Sequence, residues 1–280
     1  MDMNRRSSAR SSVPVLMYHQ ILPPETSAGR QPTPYEISPA AFVEQLELLE
    51  REGFEAVSLA DLVRPNGAPS TSAREVAITF DDGYVDNYEV AFPALCRLKL
   101  TATFFVIVNQ IGGPGFMTWD HLREMQRAGM TIGSHTLSHL PLATLTRDDI
   151  EIEVQHSRQL LIEGLQTRID FISFPHGSYD ERVLQAVSAS GYAGCCTSDF
   201  GYVPVAKRSS RIPRIIVRRA YSLDDYYRVV NGRGRRVIRM KLAAALRRII
   251  SKTVGIKNYQ RFYDFYYKKT PHGSLPAHRS

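Results

Sequence analysis

The sequence has 280 residues, 43% of them hydrophobic, which is ample for a buried core and excludes disorder over most of its length. Its net charge of +7 is unevenly spread: residues 207–280 carry 20 Lys or Arg against 3 acidic residues, a net +17, whereas residues 1–206 carry 15 against 25, a net −10. No apolar run approaches the roughly 18 residues that a membrane-spanning helix needs, and three cysteines without ligand or disulfide spacing exclude a thiolate metal site or a disulfide scaffold.

Residues 1–12 are polar and basic and are expected to be disordered. The apolar stretch that follows, Val13 to Tyr18, is too short for a secretory leader, so the expected location is cytoplasmic. Val13 to His19 reads as a buried strand and Gln20 to Pro39 as a Pro-rich loop. Ser38-Pro39 is a helix start, a cap followed by proline at the first helical position. The helix places Phe42, Leu46 and Leu49 on one face and stops at Gly53. Phe54 to Leu59 reads as a short strand, Asp61 to Val63 as the beginning of a short helix, and Asn66 to Ala73 as a surface loop. Strands over 75–80, 102–107, 130–134, 170–174, 192–197 and 212–217 then alternate with helices over 86–99, 119–128, 147–164 and 180–190. Such alternation implies parallel βαβ units. His19, Asp81-Asp82, His135, Pro175-His176 and Thr197-Ser198-Asp199 all fall just past strand ends, as barrel enzymes arrange their catalytic groups. The fold expected is therefore α/β, a TIM-like barrel over 13–222 with a basic helical tail over 223–280. Cys96, Cys195 and Cys196 are expected as small buried hydrophobes.

Asp81-Asp82-Gly83 closes the apolar run Val76 to Phe80. Successive strand side chains point to opposite faces, so the two carboxylates cannot both enter a core without a cation or hydrogen-bond donors. His135 and His139, four apart, can share one side of a helical turn and bind one ion with Asp82. Nitrogen and oxygen donors without thiolate suit Zn²⁺ first, with Co²⁺, Ni²⁺ or Fe²⁺ as alternatives. Asp81 is then either the base that takes a proton from water or a hydrogen-bond partner of a ligating histidine. His19 at the same rim is a candidate acid or a structural residue. Pro175 preorganises a turn whose His176 N–H is placed to face an oxyanion, unless the turn merely ends its strand.

Thr79-Phe80-Asp81-Asp82-Gly83, His135-Thr136-Leu137-Ser138-His139 and Phe174-Pro175-His176-Gly177 resemble signature motifs of polysaccharide deacetylases, the NodB-homology enzymes of carbohydrate esterase family four. The resemblance covers residues 13–217 and implies an irregular (β/α)7 barrel and metal-dependent hydrolysis of acetamido groups, usually on N-acetylglucosamine units. It implies Asp81 as base and Asp82, His135 and His139 as metal ligands. Three features depart from the pattern. Ser173 stands where the third motif has arginine, and His176 where it has an aromatic; Arg214 is the candidate substitute for that arginine. Asp199 is the best match to the fourth motif, and the late Leu-x-His is absent. Val13 to His19 also resembles the opening strand of a circularly permuted branch that includes biofilm poly-N-acetylglucosamine deacetylases, which implies His19 as the acid. Rival readings are an O-acetyl (xylan-type) esterase and a catalytically impaired carbohydrate-binding protein; an iron oxygenase fits neither the ligand order nor the βα alternation.

In the tail, Ile238, Leu242, Ala245, Leu246, Ile249 and Ile250 share one helical face, surrounded by Arg239, Lys241, Arg247, Arg248 and Lys252. The partners expected are an N-acetylated polysaccharide or lipid-linked glycan as substrate and an anionic membrane surface for this helix, at the inner membrane face. Nucleic acid is the less favoured electrostatic partner, and packing of the helix on the barrel is the alternative to both.

Overall fold

A computed structural model describes residues 12–22, 32–63, 74–205 and 209–254. Seven parallel strands close into a ring: β1 (Val15–Tyr18), β2 (Arg74–Phe80), β3 (Thr103–Val106), β4 (Thr131–Ser134), β5 (Phe171–Ser173), β6 (Gly194–Phe200) and β7 (Arg211–Ile216). Each pairs with the next in sequence, and β7 returns to β1 with Ile215 opposite Leu16. Phe54–Ala56 adds a parallel strand beside the first half of β2. This is the (β/α)7 barrel expected from the strand–helix alternation.

Period two along each strand separates two cores. Val76, Ile78 and Phe80 of β2 face outward with Phe104, Ile132, Ile172, Cys195 and Ile215, under the surrounding helices. Val15, Ala77, Phe105, Phe171, Cys196 and Ile212 point the other way and pack with Leu59 and Leu62, whose short helix plugs the bottom of the barrel. Phe80 stacks between Tyr18 and Phe104, and truncating so enclosed a ring costs about 3–5 kcal/mol. Above the plug the lumen is polar: Thr79, Asp81, Ser173, Thr197 and Arg214 are all buried.

The helices are α1 (Pro39–Arg51), α2 (Leu59–Val63), α3 (Phe92–Arg97), α4 (Trp119–Arg127), α5 (Arg147–Glu151), α6 (Ser157–Leu165), α7 (Glu181–Ala189), α8 (Leu223–Val230) and α9 (Arg235–Val254). Ser38 caps α1 by accepting from the Ala41 N–H, and Gly53 beyond its end has φ 71°. Two helices expected as continuous contain π turns. Asn87–Ala91 precedes α3, where Pro93 lacks the N–H that an α-helix would use. Ile152–His156 lies between α5 and α6.

Two further expectations need correction. Cys96 is exposed, while Cys195 and Cys196 are buried. The boundary expected at 222/223 falls inside packed structure: Tyr226, Val229 and Val230 of α8 are buried, and the Tyr226 hydroxyl lies 3.1 Å from that of Tyr18 on β1. α9 starts against the barrel, with Val237 buried, and carries exposed Ile238, Leu242 and Leu246 on another side. Among the described residues no helix is long and apolar enough to cross a membrane. Of the start expected to be disordered (residues 1–12), Ser12 instead pairs with Pro204 in a short antiparallel strand; residues 1–11, the loop at 66–73 and the aromatic segment beyond 254 lie outside the described residues.

Candidate active site

Ala77, Thr79 and Asp81 succeed one another on the lumen side of β2, so Asp81 is the top residue of an inward row. The chain then leaves the strand: Asp82 has φ 76° and Gly83 φ 81°. A Cβ on Gly83 would lie 3.0 Å from a Val106 methyl. Left-handed backbone at a non-glycine residue is uncommon and strained. Here it turns Asp82 away from Asp81, and each carboxylate gets a separate set of partners.

Asp81 belongs to Arg214. The guanidinium is fully buried in the lumen, with Nη1 2.7 Å from Asp81 Oδ1 and Nη2 2.7 Å from Asp81 Oδ2. Its remaining N–H groups reach Thr79 Oγ1 (3.2 Å), Ser173 Oγ (2.8 Å) and the Thr197 carbonyl (3.1 Å). All five guanidinium donors are thereby used. Ser173, at the position where the family motif has arginine, donates its hydroxyl to Asp81 Oδ2 at 3.2 Å. Burial opposes ionisation of Asp81, but Arg214 and then His135 outweigh it and hold the carboxyl below its usual range.

Asp82 belongs to the histidines. Its Oδ1 lies 3.3 Å from Nε2 of both His135 and His139. One donor atom from each of the three residues falls within 4.8 Å of the others. Two ligands of a tetrahedral ion at about 2.05 Å stand about 3.3 Å apart, so the carboxylate–imidazole spacings suit zinc. His135 Nδ1 is 2.9 Å from the Ser173 carbonyl. A proton donated there leaves the Nε2 lone pair facing the site. Burial works against charge on Asp82, yet the hydrogen bonds from His135 and His139 bring its carboxyl well below the usual range. Burial likewise disfavours protonated His135, and Asp81 then Asp82 reverse the balance and raise it.

His135 and His139 do not sit on a helical turn. Residues 135–139 form a loop after β4 in which Thr136 (φ 66°) and His139 (φ 61°) are left-handed. Three side chains hold it. Ser134 Oγ accepts from the Thr136 N–H (3.1 Å), and Thr136 Oγ1 accepts from the His139 N–H (3.1 Å). Buried Glu153, in the π turn between α5 and α6, accepts from the N–H groups of Leu137 (3.0 Å) and Ser138 (2.9 Å) and from the Ser138 hydroxyl. Glu153 escaped the sequence reading, because a helical pattern around 147–164 gives no sign of the π turn that carries it.

His19 follows β1 one residue beyond the Tyr18–Phe80 pair, and Asp81 follows β2 at the same level. Its Nδ1 is buried without a hydrogen-bond partner and its ring lies against Tyr35. Burial lowers its pKa, opposed by Asp82 and Asp81. Tyr84, also missed, hydrogen-bonds Asp82; burial and then Asp82 push its phenol upward, and it stacks on Phe116.

Pro175 is buried in the turn after β5, and the exposed His176 ring, at φ 56°, lies 4.7 Å from that of His139. Asp199 stands apart from the metal-ligand cluster: it is exposed and accepts from the Tyr179 hydroxyl at 2.6 Å.

Residues 68–195 match the polysaccharide deacetylase family model. YxkH of Bacillus subtilis, a polysaccharide deacetylase by name, is 31% identical over 194 residues, covering 68% of this chain and 66% of its own length. The chain belongs to the polysaccharide deacetylase family. A poly-β-1,6-N-acetyl-D-glucosamine N-deacetylase of Staphylococcus aureus is 23% identical over 205 residues, covering 68% of this chain and 71% of its own. The chain thus spans about two thirds of the length of these relatives. Among solved structures, the Streptococcus pyogenes deacetylase PplD in complex with acetate superposes with a TM-score of 0.71 at 27% identity, covering 78% of this chain and 98% of that one. These relatives and neighbours are deacetylases by name, and hence hydrolases.

Proposed function

We propose that this polysaccharide deacetylase family member removes N-acetyl groups from N-acetylglucosamine-type units of a polysaccharide or lipid-linked glycan. The observation that carries this reading is the separation of the two adjacent aspartates. Asp82 joins His135 and His139 in a three-ligand set, while Arg214 holds Asp81 ionised beside it.

A divalent cation, Zn²⁺ foremost, held by Asp82, His135 and His139 supplies Lewis-acid polarisation and a water of lowered pKa. Asp81 takes the proton of the attacking water, and its bidentate partner fixes which way its carboxylate plane faces. The backbone N–H of His176, in the turn begun by Pro175, stabilises the oxyanion. His19 delivers a proton to the departing amine. Water adds across the amide, the C–N bond breaks, and acetate and a glucosamine unit leave. Burial favours neutral His19, so the protonated fraction depends on the opposing Asp82 and Asp81 and falls as pH rises. Asp199, held by Tyr179 away from the cluster, receives no part in the step.

The test is acetate release from β-1,6-linked N-acetylglucosamine oligomers, before and after chelation and again after Zn²⁺ is restored. Release that stops with chelation and returns with zinc is expected. Release from O-acetyl xylan alone would make the protein an esterase, and no metal-dependent release from either would leave a carbohydrate-binding protein. Arg214 on Asp81 speaks against that last reading, because it brings to the base the guanidinium that the third motif lacks in this sequence.

A further inference from the structure

Over residues 235–246 of α9, the large apolar side chains fall on two sides of the helix. Val237, buried, and half-buried Met240 and Ala244 succeed one another at three and four residues and face the barrel. Arg236 anchors the same end: its guanidinium pairs with Asp225 at 2.9 Å through two nitrogens and lies 5.0 Å from the Tyr221 ring. Lys241 Nζ lies 5.7 Å from the Tyr202 ring. These contacts fix the start of the helix and leave another face outward. On it Ile238 (57% exposed), Leu242 (65%) and Leu246 (58%) follow at intervals of four, the three most exposed large apolar side chains among the described residues.

The charge along the helix is cationic, and the nearby carboxylates of α8, Asp224 and Asp225, are paired with Arg228 and Arg236. Exposed Arg235 and Arg239 flank the apolar face, and the sequence from 226 to 263 holds 11 Lys or Arg and no acidic residue. An apolar stripe in a predominantly cationic setting matches an anionic bilayer: apolar side chains enter the headgroup region while arginines stay among lipid phosphates. A nucleic acid would satisfy the arginines but leave the leucines in water. A second copy of the chain would cover the leucines but bring together two surfaces of like charge.

We propose that α9 binds anionic membranes through the Ile238–Leu242–Leu246 face. The start of the helix lies against Tyr221, five residues beyond the end of β7, and Lys241 lies over Tyr202, next to Val203 of the cluster that plugs the barrel. Docking through this face would hold the protein at a lipid surface. That this selects a lipid-linked or membrane-proximal glycan rests on the deacetylase reading; the membrane binding does not.

The experiment is vesicle flotation of the full chain with phosphatidylglycerol/phosphatidylcholine liposomes and with phosphatidylcholine alone. Binding to the anionic vesicles only is expected, weakening at least tenfold as NaCl rises from about 50 mM to about 500 mM. Leu242→Ser with Leu246→Ser should abolish it, and Arg235→Gln with Arg239→Gln should weaken it about fivefold per lost charge. Both variants should release acetate from soluble oligomers as the parent does, so a failure of membrane binding stays distinguishable from a failure of the proposed activity. The proposal is overturned by absence of vesicle binding at low salt or by binding that ignores the leucine substitutions. It is equally overturned if light scattering shows a dimer lost in the leucine variant without lipid binding, or if double-stranded DNA is bound and vesicles are not.

Discussion

Arg214 grips both carboxylate oxygens of Asp81 at 2.7 Å, although 133 residues of chain separate them. Neither side chain has appreciable contact with water. Arg214→Met would leave Asp81 buried without its counter-charge, and breaking such pairs costs about 3–5 kcal/mol. The urea midpoint of this variant should fall accordingly. Arg214→Lys keeps the charge but loses the fork, and kcat/KM should drop by about tenfold or more with a smaller loss of stability.

Asp81→Asn preserves shape and removes the base. kcat should fall by about 10²–10⁴-fold, while zinc affinity by calorimetry stays within about tenfold of the parent. Near-native kcat would return the base to an unassigned residue.

His19 can be tested by leaving group. An amine departs poorly without a proton, whereas p-nitrophenolate needs none. His19→Gln should therefore lower acetamide hydrolysis by about 10²–10⁴-fold and p-nitrophenyl acetate hydrolysis far less. Equal losses on the two substrates would mean that His19 shapes the site without donating a proton.

Glu153→Gln tests the support of the metal loop. The amide keeps one acceptor and turns an NH₂ toward a cluster of donors, so the loop carrying His139 should loosen. Zinc affinity is expected to fall about 10–100-fold while the melting temperature of the chelated protein changes little. A melting temperature that falls sharply with metal affinity unchanged would make Glu153 a folding residue only.

Asp86 gives a pH signature independent of the metal ligands. Buried, it accepts from the Ile21 N–H (2.9 Å) and Asn87 Nδ2 (2.7 Å), and burial lifts its pKa to about 6. The folded value lies above the unfolded one of about 3.9. Its contribution is therefore complete below about pH 4 and is lost as pH rises through about 6. Asp86→Asn should raise the urea midpoint at pH 8 relative to the parent, with the advantage shrinking toward pH 4.

The two signature motifs and the strand–helix alternation were legible because each rests on local chemistry: apolar runs, a Ser-Pro helix start, ligands just past strand ends. The conformation of residues 135–139 was not. A spacing of four suits a helical turn, and nothing in the residue types announces the left-handed backbone at Thr136 and His139. Arg214 was half legible: period two puts it on the same side of β7 as Ile212, which packs in the barrel plug. Its partner lies on a strand that is not adjacent, which no local pattern encodes. Glu153 was hidden by its π turn. The boundary expected at 222/223 misses α8, although Tyr226, Val229 and Val230, spaced three and one apart, already mark a packed face there.

Closure of the ring by its first and last strands has a consequence for how the protein comes into being. β1 cannot find both neighbours until β7 exists, and Asp81 has no counter-charge until Arg214 arrives with it. Pairing across so much chain carries a large loop-closure cost and comes late in folding. Activity should therefore mature behind helical content in a refolding time course, with Asp81, Arg214 and His19 converging in the final step.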